Sequence, residues 1–377
     1  MNQFLGADSS ILYGNEKKSP LRLAVTCHTA SPCPIGSLWE ETKREGVKTI
    51  KNIIVKLREA IRVKHYSYST ERSYIDWVKR FYEYLLDIKK KEVIDRDLTG
   101  EDVRDYLTYL AIKRRVASST QNQAFNALLF LFREILKIDL KSMANTVRAK
   151  RGPKLPVVLS KEEMQEIFKR AKGRDLLVIQ LFYGTGARLM EVARLRVHDI
   201  DFDGGMIFVR GSKQDKDRTT ILPLLVKESL REHLTKVKSI YEEDLKKGFG
   251  EVYLPNALEK KYLNAAKEWG WQYVFPAANL SVDPRSGKVR RHHINQTTIQ
   301  KMVKRIVKEA GIIKNASVHT LRHSFATHLL MDGINIREIQ ELLGHKNVET
   351  TMIYTHVLRD MSNAPVSPLD KLYESNM

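Results

Sequence analysis

The chain lacks most of the features that would place it outside the cell or in a membrane. Its 377 residues include only two cysteines, Cys27 and Cys33, so no disulfide framework holds the fold. No second pair of Cys or His follows at ligand spacing, which excludes a zinc knuckle. No run approaches 18 apolar residues, and the stretch 21–25 is too short and too charged for a signal peptide. We therefore expect a cytoplasmic protein without a membrane partner.

A phosphate-binding loop is also lacking, because Gly184-Thr-Gly186 is not followed by Gly-Lys-Ser/Thr. Positive charge, in contrast, is plentiful: 64 Lys and Arg face 45 Asp and Glu, which gives a formal net charge of +19. The hydrophobic fraction of 42% is that of a globular protein. A folded chain with this surplus is expected to bind a polyanion, with nucleic acid ahead of an anionic membrane surface.

Apolar periodicity divides the chain into four parts. Residues 1–46 show no helical or strand period and predict a flexible N-terminal extension. Four amphipathic helices predict a small all-α domain over 47–146. The basic, Pro- and Gly-containing stretch 147–156 indicates a linker. A capping box at Ser160 then opens the first helix of a second domain, which spans 157–377.

The second domain is predicted to be mainly helical with one small antiparallel sheet. The expected strands are 206–210 and 218–223, joined by a polar turn at 212–217. The expected helices span 161–172, 175–183, 225–247, 297–310, 320–331, 335–343 and 348–357. The fold class is therefore mainly α with a small antiparallel β-sheet, the second domain being α+β.

The side chains best suited to catalysis or anion binding lie in this second domain. His319 and Arg322 share one face at the start of a predicted helix, where free N–H groups add positive potential for an anion. His345 follows a glycine suited to closing a helix, and Tyr354 comes nine residues later. Upstream, Arg188 directly follows a glycine-containing turn.

Each of these residues, taken singly, has a structural explanation. A helical arginine is usually solvated or salt-bridged, and a tyrosine usually packs in a core. His319 and His323 have the i, i+4 spacing of a zinc pair, but Arg322 lies between them and no acidic ligand is near. We therefore expect no metal, and it is the joint pattern that indicates a function.

That joint pattern resembles the tyrosine recombinase (phage integrase-like) family over about residues 55–370. The resemblance implies a two-domain, C-shaped DNA clamp, with a helical core-binding domain over 47–146 and a catalytic domain after the linker. It also implies six catalytic residues and an acidic residue three positions after the first arginine. These are Arg188, Lys213, His319, Arg322, His345 and Tyr354, with Glu191 as the acidic residue.

The chemistry accounts for these residue types. Tyr354 would attack a phosphodiester, and because tyrosine ionises only near pH ~10 it needs positive charge and a base, for which His319 is the natural choice. The two arginines would donate paired hydrogen bonds to the non-bridging oxygens. Lys213 would protonate the leaving 5′ oxygen; Lys216, in the same turn, is the alternative donor and otherwise positions a phosphate. A phosphotyrosyl link conserves bond energy, so we expect no cofactor.

An additional segment, about 252–295, resembles the insertion of integron integrases, which recombine folded single-stranded cassette sites and double-stranded integron sites. In that family the insertion recognises bases flipped out of a hairpin stem. Trp271 and Pro284 match the positions that sandwich such a base, and His292 and His293 match the pair beside it.

Stacking on an aromatic ring selects an unpaired base by its shape, without reading its sequence. For Tyr273 and Phe275 in the same segment, a place in the core is an equally good interpretation, because apolar residues alternate there.

The sequence therefore predicts a site-specific recombinase of integron integrase type, which acts as a homotetramer on two DNA sites and inserts and excises gene cassettes. Three alternatives stay open. They are a phage- or Xer-type recombinase that acts only on duplex DNA, a catalytically silent DNA-binding protein of the same fold, and a type IB topoisomerase.

Overall fold

The computed structural model describes residues 50–91, 98–140, 156–210, 217–254, 258–284 and 286–362. The chain divides into two compact units, Met1–Gly152 and Pro153–Met377. The predicted extension 1–46, nearly all of the linker 147–156 and both hairpin lysines, Lys213 and Lys216, lie outside the described residues. Within the described ranges no helix is long and apolar enough to cross a membrane.

The N-terminal unit contains the four predicted helices. They are α1 (50–63), α2 (Tyr68–Glu83), α3 (Gly100–Ile112) and α4 (Ser118–Phe130). The chain continues from α2 and from α4 into a π-helical segment, Tyr84–Ile88 and Leu131–Leu136 respectively. The apolar faces close on one core, in which Leu57, Phe81 and Phe125 have no exposed surface. Burial of the apolar stripe along each helix stabilises helices that would be only marginally stable in isolation.

The second unit is mainly helical, as predicted. Its helices are α5 (Lys161–Arg170), α6 (Gly173–Thr185), α7 (Leu189–Ala193), α8 (Lys227–Lys246), α9 (Leu258–Lys261), α10 (Gln296–Glu309), α11 (Val318–Met331), α12 (Ile336–Leu343) and α13 (Glu349–Ser362). One large core joins most of these helices, and Ile179, Phe182 and Leu321 lie fully inside it.

The sequence predicts one antiparallel sheet in this unit, and the structure contains two within the described residues. Strands β1 (Ile200–Asp201), β2 (Met206–Val209) and β3 (Arg218–Ile221) form an antiparallel sheet in which Val209 pairs with Arg218. A second antiparallel pair joins β4 (Ser281–Val282) and β5 (Val289–Arg290). Strands β1, β4 and β5 have two residues each, so they are too short to show a period of two in the sequence.

The glycine-closed ends of α6 and α12 lie close together. Gly186 ends α6 with φ +61°, and a Cβ there would lie within 3 Å of the side chains of Phe325 and Leu343. Gly344 ends α12 with φ +63°, and a Cβ there would lie 2.5 Å from Arg218 Cδ. Both positions require glycine for conformation and for space.

Helix α11 begins earlier than predicted. Its N-cap is Ser317, in a capping box with Thr320, so the helix starts at Val318 instead of residue 320. His319 therefore lies in the first turn, and Arg322 follows it one turn further along the same face.

Candidate active site

A single carboxylate, that of Glu191, joins two arginines. Arg188 Nη1 donates to Glu191 Oε1 at 2.7 Å, and Arg218 Nη2 donates to Oε2 at 2.7 Å. The side chains of Arg218 and Glu191 are each 8% exposed, and that of Arg188 is 27% exposed. The backbone N–H of Arg188 also donates to Glu191, in the capping box that opens α7. Glu191 thus fixes Arg188 while leaving it partly open to solvent.

Arg322 connects the ends of α6 and α12. Its guanidinium donates to the carbonyl of Gly186 and, at 2.7 Å, to the carbonyl of Leu343. The residue is 4% exposed, so both ties lie in the interior. Arg188 reaches the same place, since its Nη2 donates to the carbonyl of Gly344 at 3.3 Å. The arginines before α7 and in α11 therefore meet at the glycine-closed end of α12.

Tyr354 lies on α13, which packs on α11, and is 1% exposed. Its hydroxyl is hydrogen-bonded to His323 Nδ1 at 3.0 Å. Its ring belongs to a small apolar cluster that includes Phe325 and Leu343. Packing therefore holds the phenol, and a histidine contacts its hydroxyl oxygen.

Two further histidines flank this pair. His345 Nε2 lies 3.0 Å from Arg322 Nη2, and its Nδ1 lies 2.9 Å from Thr351 Oγ1. The His345 ring is nearly parallel to that of Tyr354, with centroids 6.5 Å apart. His319 is exposed at the start of α11. The three histidines thus range from half-buried contacts to an exposed position.

Burial and the arginines set the electrostatics of the site. Burial raises the pKa of Tyr354 above its ordinary value, although Arg322 and Arg188 act in the opposite direction. Burial, with Arg322 and Arg188, lowers the pKa of His345 to about 3. Burial also lowers the pKa of His323 to about 4. Partial desolvation, with Arg322 and Arg188, lowers the pKa of His319. All three imidazoles are therefore neutral near pH 7.

Arg322 differs from the histidines because it keeps its charge. Burial and the nearby Arg188 lower the pKa of its guanidinium to about 10, which still leaves it protonated at neutral pH. Fixed cations beside a neutral phenol suit a reaction in which negative charge develops on a bound anion. The arrangement can therefore stabilise an oxyanion and hold an oxygen nucleophile near it.

Arg196 is the centre of a second cluster, which it forms with aromatic residues of the additional segment. Arg196 is 8% exposed, and its guanidinium donates to the carbonyls of Trp271 and Tyr253. Its guanidinium carbon lies 4.6 Å from the centre of the Tyr273 ring and 5.6 Å from that of Trp271. The Trp271 ring also meets His198 edge-on, with centroids 4.4 Å apart. This cluster fixes one side of a half-buried Trp271.

The histidine pair also contacts Tyr273. His292 and His293 have ring centroids 4.1 Å apart, and those centroids lie 5.5 Å and 5.4 Å from that of the Tyr273 ring. Burial lowers the pKa of His293 to about 4 and also lowers that of His292. Pro284 is exposed in the turn between β4 and β5. Tyr273 and Phe275 are buried, which confirms the core interpretation for both.

Two family models match the chain. Residues 157–361 match the phage integrase family, and residues 53–142 match the phage integrase N-terminal SAM-like domain. The chain belongs to the phage integrase family. It is a tyrosine site-specific recombinase of the phage integrase and Xer type.

Curated relatives are similar over most of this recombinase. An Integrase/recombinase of Escherichia coli is 44% identical over 320 residues, which cover 85% of this chain and 94% of the relative. The Tyrosine recombinase XerA of Pyrococcus furiosus is 33% identical over 259 residues, which cover 67% of this chain and 76% of the relative.

Solved structures share the fold. XerH bound to its difH substrate in a post-cleavage complex has a TM-score of 0.54 at 22% identity, over 81% of this chain and 82% of that one. A lambda integrase dimer bound to a core site has a TM-score of 0.53 at 18% identity, over 81% of this chain and 94% of that one. The predicted two-domain, mainly helical fold is thereby confirmed.

The structure of the recombinase brings most of the predicted catalytic residues together. Arg188, Arg322, His345 and Tyr354 are joined by the contacts described above, and His319 shares a helix face with Arg322. Lys213 lies outside the described residues, as does Lys216. In the part of the chain that is described, no group of three or more His, Cys, Asp or Glu is placed to hold a metal ion.

Sequence reasoning missed two members of the site. His323 was considered only for its spacing from His319, as a zinc pair that the neighbouring residues disfavour. It nevertheless contacts the Tyr354 hydroxyl. Arg218 was considered only as the first residue of a predicted strand, although it shares Glu191 with Arg188. An arginine at the first position of a predicted strand next to a polar turn is a signal that could have drawn attention to Arg218.

Proposed function

We propose that Tyr354 is the nucleophile that cuts a DNA strand and forms a 3′-phosphotyrosyl intermediate. Arg188 and Arg322 bind the non-bridging oxygens of the scissile phosphate, and His345 supports Arg322 through its Nε2 contact. The observation that carries this proposal is the meeting of Arg188, Arg322 and Tyr354 around the end of α12, from three separate parts of the chain.

The remaining proposed groups act on the phosphate and on the leaving oxygen. His319, exposed beside Arg322, contacts the phosphate from the solvent side. Lys213 protonates the leaving 5′ oxygen, with Lys216 as a phosphate contact from the same turn. A flexible ammonium suits proton delivery better than a guanidinium, which stays charged at neutral pH. Strand β3, whose Arg218 binds Glu191, leads from this turn to the site.

We infer further that the enzyme is an integron integrase that acts in the cytoplasm as a homotetramer on folded single-stranded and duplex sites, inserting and excising gene cassettes. Trp271 and Pro284 stack on an extrahelical base, and His292 and His293 contact its edge. Neutral imidazoles suit a base edge better than a phosphate, and their lowered pKa values keep both neutral. A solved structure of a lambda integrase tetramer bound to a Holliday junction makes a tetramer a reasonable assembly.

Covalent capture tests the catalytic proposal. The protein is incubated with a pool of nicked DNA duplexes whose central sequence is randomised. DNA strands that stay attached to the protein in denaturant are sequenced, and one of these sequences becomes the substrate for the later tests. We expect the wild-type protein to form the adduct and Tyr354→Phe to form none. Equal capture by both proteins would show that Tyr354 is not the nucleophile, and capture by neither would favour a silent DNA-binding protein.

A matched hairpin pair tests the integron proposal. One hairpin has the captured sequence as its stem with a single extrahelical base, and the other has the same stem without it. We expect wild-type protein to prefer the bulged stem and Trp271→Ala to lose that preference, because stacking of one base is worth about 1–3 kcal/mol. Trp269→Ala, in the same turn, is the control. Equal affinity for both stems would favour a duplex-only phage- or Xer-type recombinase.

A further inference from the structure

His323 contacts the atom that would react. Its Nδ1 lies 3.0 Å from the Tyr354 hydroxyl, within the range for proton transfer. The sequence favours His319 as the base, but His319 is exposed in the first turn of α11. The geometry therefore gives the two histidines, four residues apart on α11, different positions relative to the Tyr354 hydroxyl.

We propose that His323 is the general base of the cleavage step and accepts the proton of the Tyr354 hydroxyl. The inference rests on the proposed function, since it requires Tyr354 to be the nucleophile. In the step, the phenolic oxygen forms a bond to phosphorus while the bond from phosphorus to the 5′ oxygen breaks. The phenolic proton passes to His323 Nδ1, and the 5′ oxygen takes a proton from Lys213.

The protonation state of the ring fits this task. Accepting the hydroxyl proton requires a free lone pair on Nδ1, so the neutral ring must carry its proton on Nε2. Burial, His319 and Arg322 all lower the pKa of His323, which keeps the ring neutral at pH 7. The resting site therefore has an acceptor ready beside the phenol.

Base strength is the second requirement, and the substrate supplies it. The titratable groups around His323 are His319 and Arg322 on α11, His345 after α12 and Tyr354 on α13. None of these is an anion in the resting site. A bound phosphate introduces negative charge, which favours the protonated ring and raises its proton affinity. Proton transfer is thus strengthened by the DNA that is to be cut.

The test uses the full-length protein and the nicked duplex obtained by covalent capture. His323→Asn places an amide near the position of Nδ1, so it can hold the hydroxyl but cannot take up its proton. We expect adduct formation to slow by about 10²–10⁴-fold, the usual contribution of general base catalysis. His323→Ala should be equally slow, and added imidazole should restore part of its activity as the neutral form of imidazole increases with pH.

The matched control is His319→Asn, one helical turn away. The wild-type rate should fall at acid pH as the acceptor becomes protonated, and this dependence should vanish in His323→Asn but persist in His319→Asn. Thermal unfolding and DNA binding of each variant establish that it is folded.

Three outcomes would overturn the proposal. A rate for His323→Asn within about threefold of wild type would leave His323 only a holding role, well below a general base contribution. A faster rate for His323→Asn would show that the contact restrains Tyr354. Loss of the acid dependence only in His319→Asn would show that His319 is the base. The proposed function fails separately, if Tyr354→Phe is captured as well as wild type.

Discussion

Two buried arginines, Arg322 and Arg196, are held in the same way in two different regions. Each donates to two backbone carbonyls that are distant in sequence, those of Gly186 and Leu343 for the first and those of Trp271 and Tyr253 for the second. Backbone carbonyls satisfy a buried guanidinium without neutralising it. Both arginines are therefore structural connections that keep a positive charge inside the protein.

The difference lies in what else faces the guanidinium. Arg322 has His345 and Tyr354 beside it, an imidazole and a phenol, which are groups with proton-transfer chemistry. Arg196 has the faces of two aromatic rings, which share its charge through cation–π contact but have no titration near neutral pH. The first arrangement suits chemistry on a phosphate, and the second suits a rigid stacking surface. Substitutions in the two regions can separate these tasks.

The largest effect is expected for Arg322→Lys. Lysine keeps the charge but lacks the planar fork, so it cannot tie both carbonyls and bind a phosphate oxygen together. We expect adduct formation on the captured nicked duplex to fall by about 10²–10³-fold, as when one oxyanion donor is lost. The matched Arg196→Lys should cleave the same duplex within about threefold of wild type, a change too small for a lost catalytic contact. Similar losses in both variants would remove the distinction between the regions.

A smaller effect, on stability, is expected at the carboxylates. Glu191→Gln leaves Arg188 and Arg218 without their shared counter-charge, and removal of one partner from a buried ion pair destabilises by about 3 kcal/mol. Urea unfolding measures the change. The control is Asp199→Asn in the other region, whose partners are His198 and the half-exposed Arg210. We expect it to lose about half as much stability, because the exposed part of the pair contributes little. A reversed order would contradict the burial argument.

Arg196→Lys is expected to destabilise the protein by about 2 kcal/mol, because one carbonyl bond and the stacking on Tyr273 are lost. The measurement is again urea unfolding. Preference for the bulged hairpin should weaken in parallel, since Trp271 loses its support. If Arg196→Lys lowers the free energy of unfolding but leaves the preference for the bulged hairpin unchanged, Arg196 is not needed to hold Trp271, and His198 is sufficient.

The smallest effect is expected from pH. The pKa of His345 is about 3 and that of His293 about 4 in the folded protein, against ~6.5 when unfolded. The unfolded chain therefore binds protons more readily, and stability falls as pH drops below about 6.5, levelling off near the folded pKa values. His345→Asn and His293→Asn should each flatten this slope by about 1 kcal/mol per pH unit. Urea unfolding at pH 7, 6 and 5 measures it, and a slope unchanged in both would contradict the lowered pKa values.

The sequence predicted the long helices well because their apolar stripes recur over several turns, as in α8 and α10. It placed the start of α11 too late, since Thr320 and Ser317 are both good capping residues and only tertiary packing selects between them. It missed β1, β4 and β5, whose two-residue length gives no pattern. The catalytic positions were predicted from the order of motifs, and they remain proposals that covalent capture can test.

By itself the sequence determined the surplus of positive charge, the helical domains and the recombinase family, because composition, periodicity and motif order are local properties of the chain. Only the tertiary structure decided that His323 rather than His319 contacts the Tyr354 hydroxyl, and that Arg218 shares Glu191 with Arg188. These contacts join residues 31 and 27 positions apart. They depend on how α13 packs on α11 and β3 beside α7, and no periodicity in the sequence records the direction in which a side chain points across such an interface.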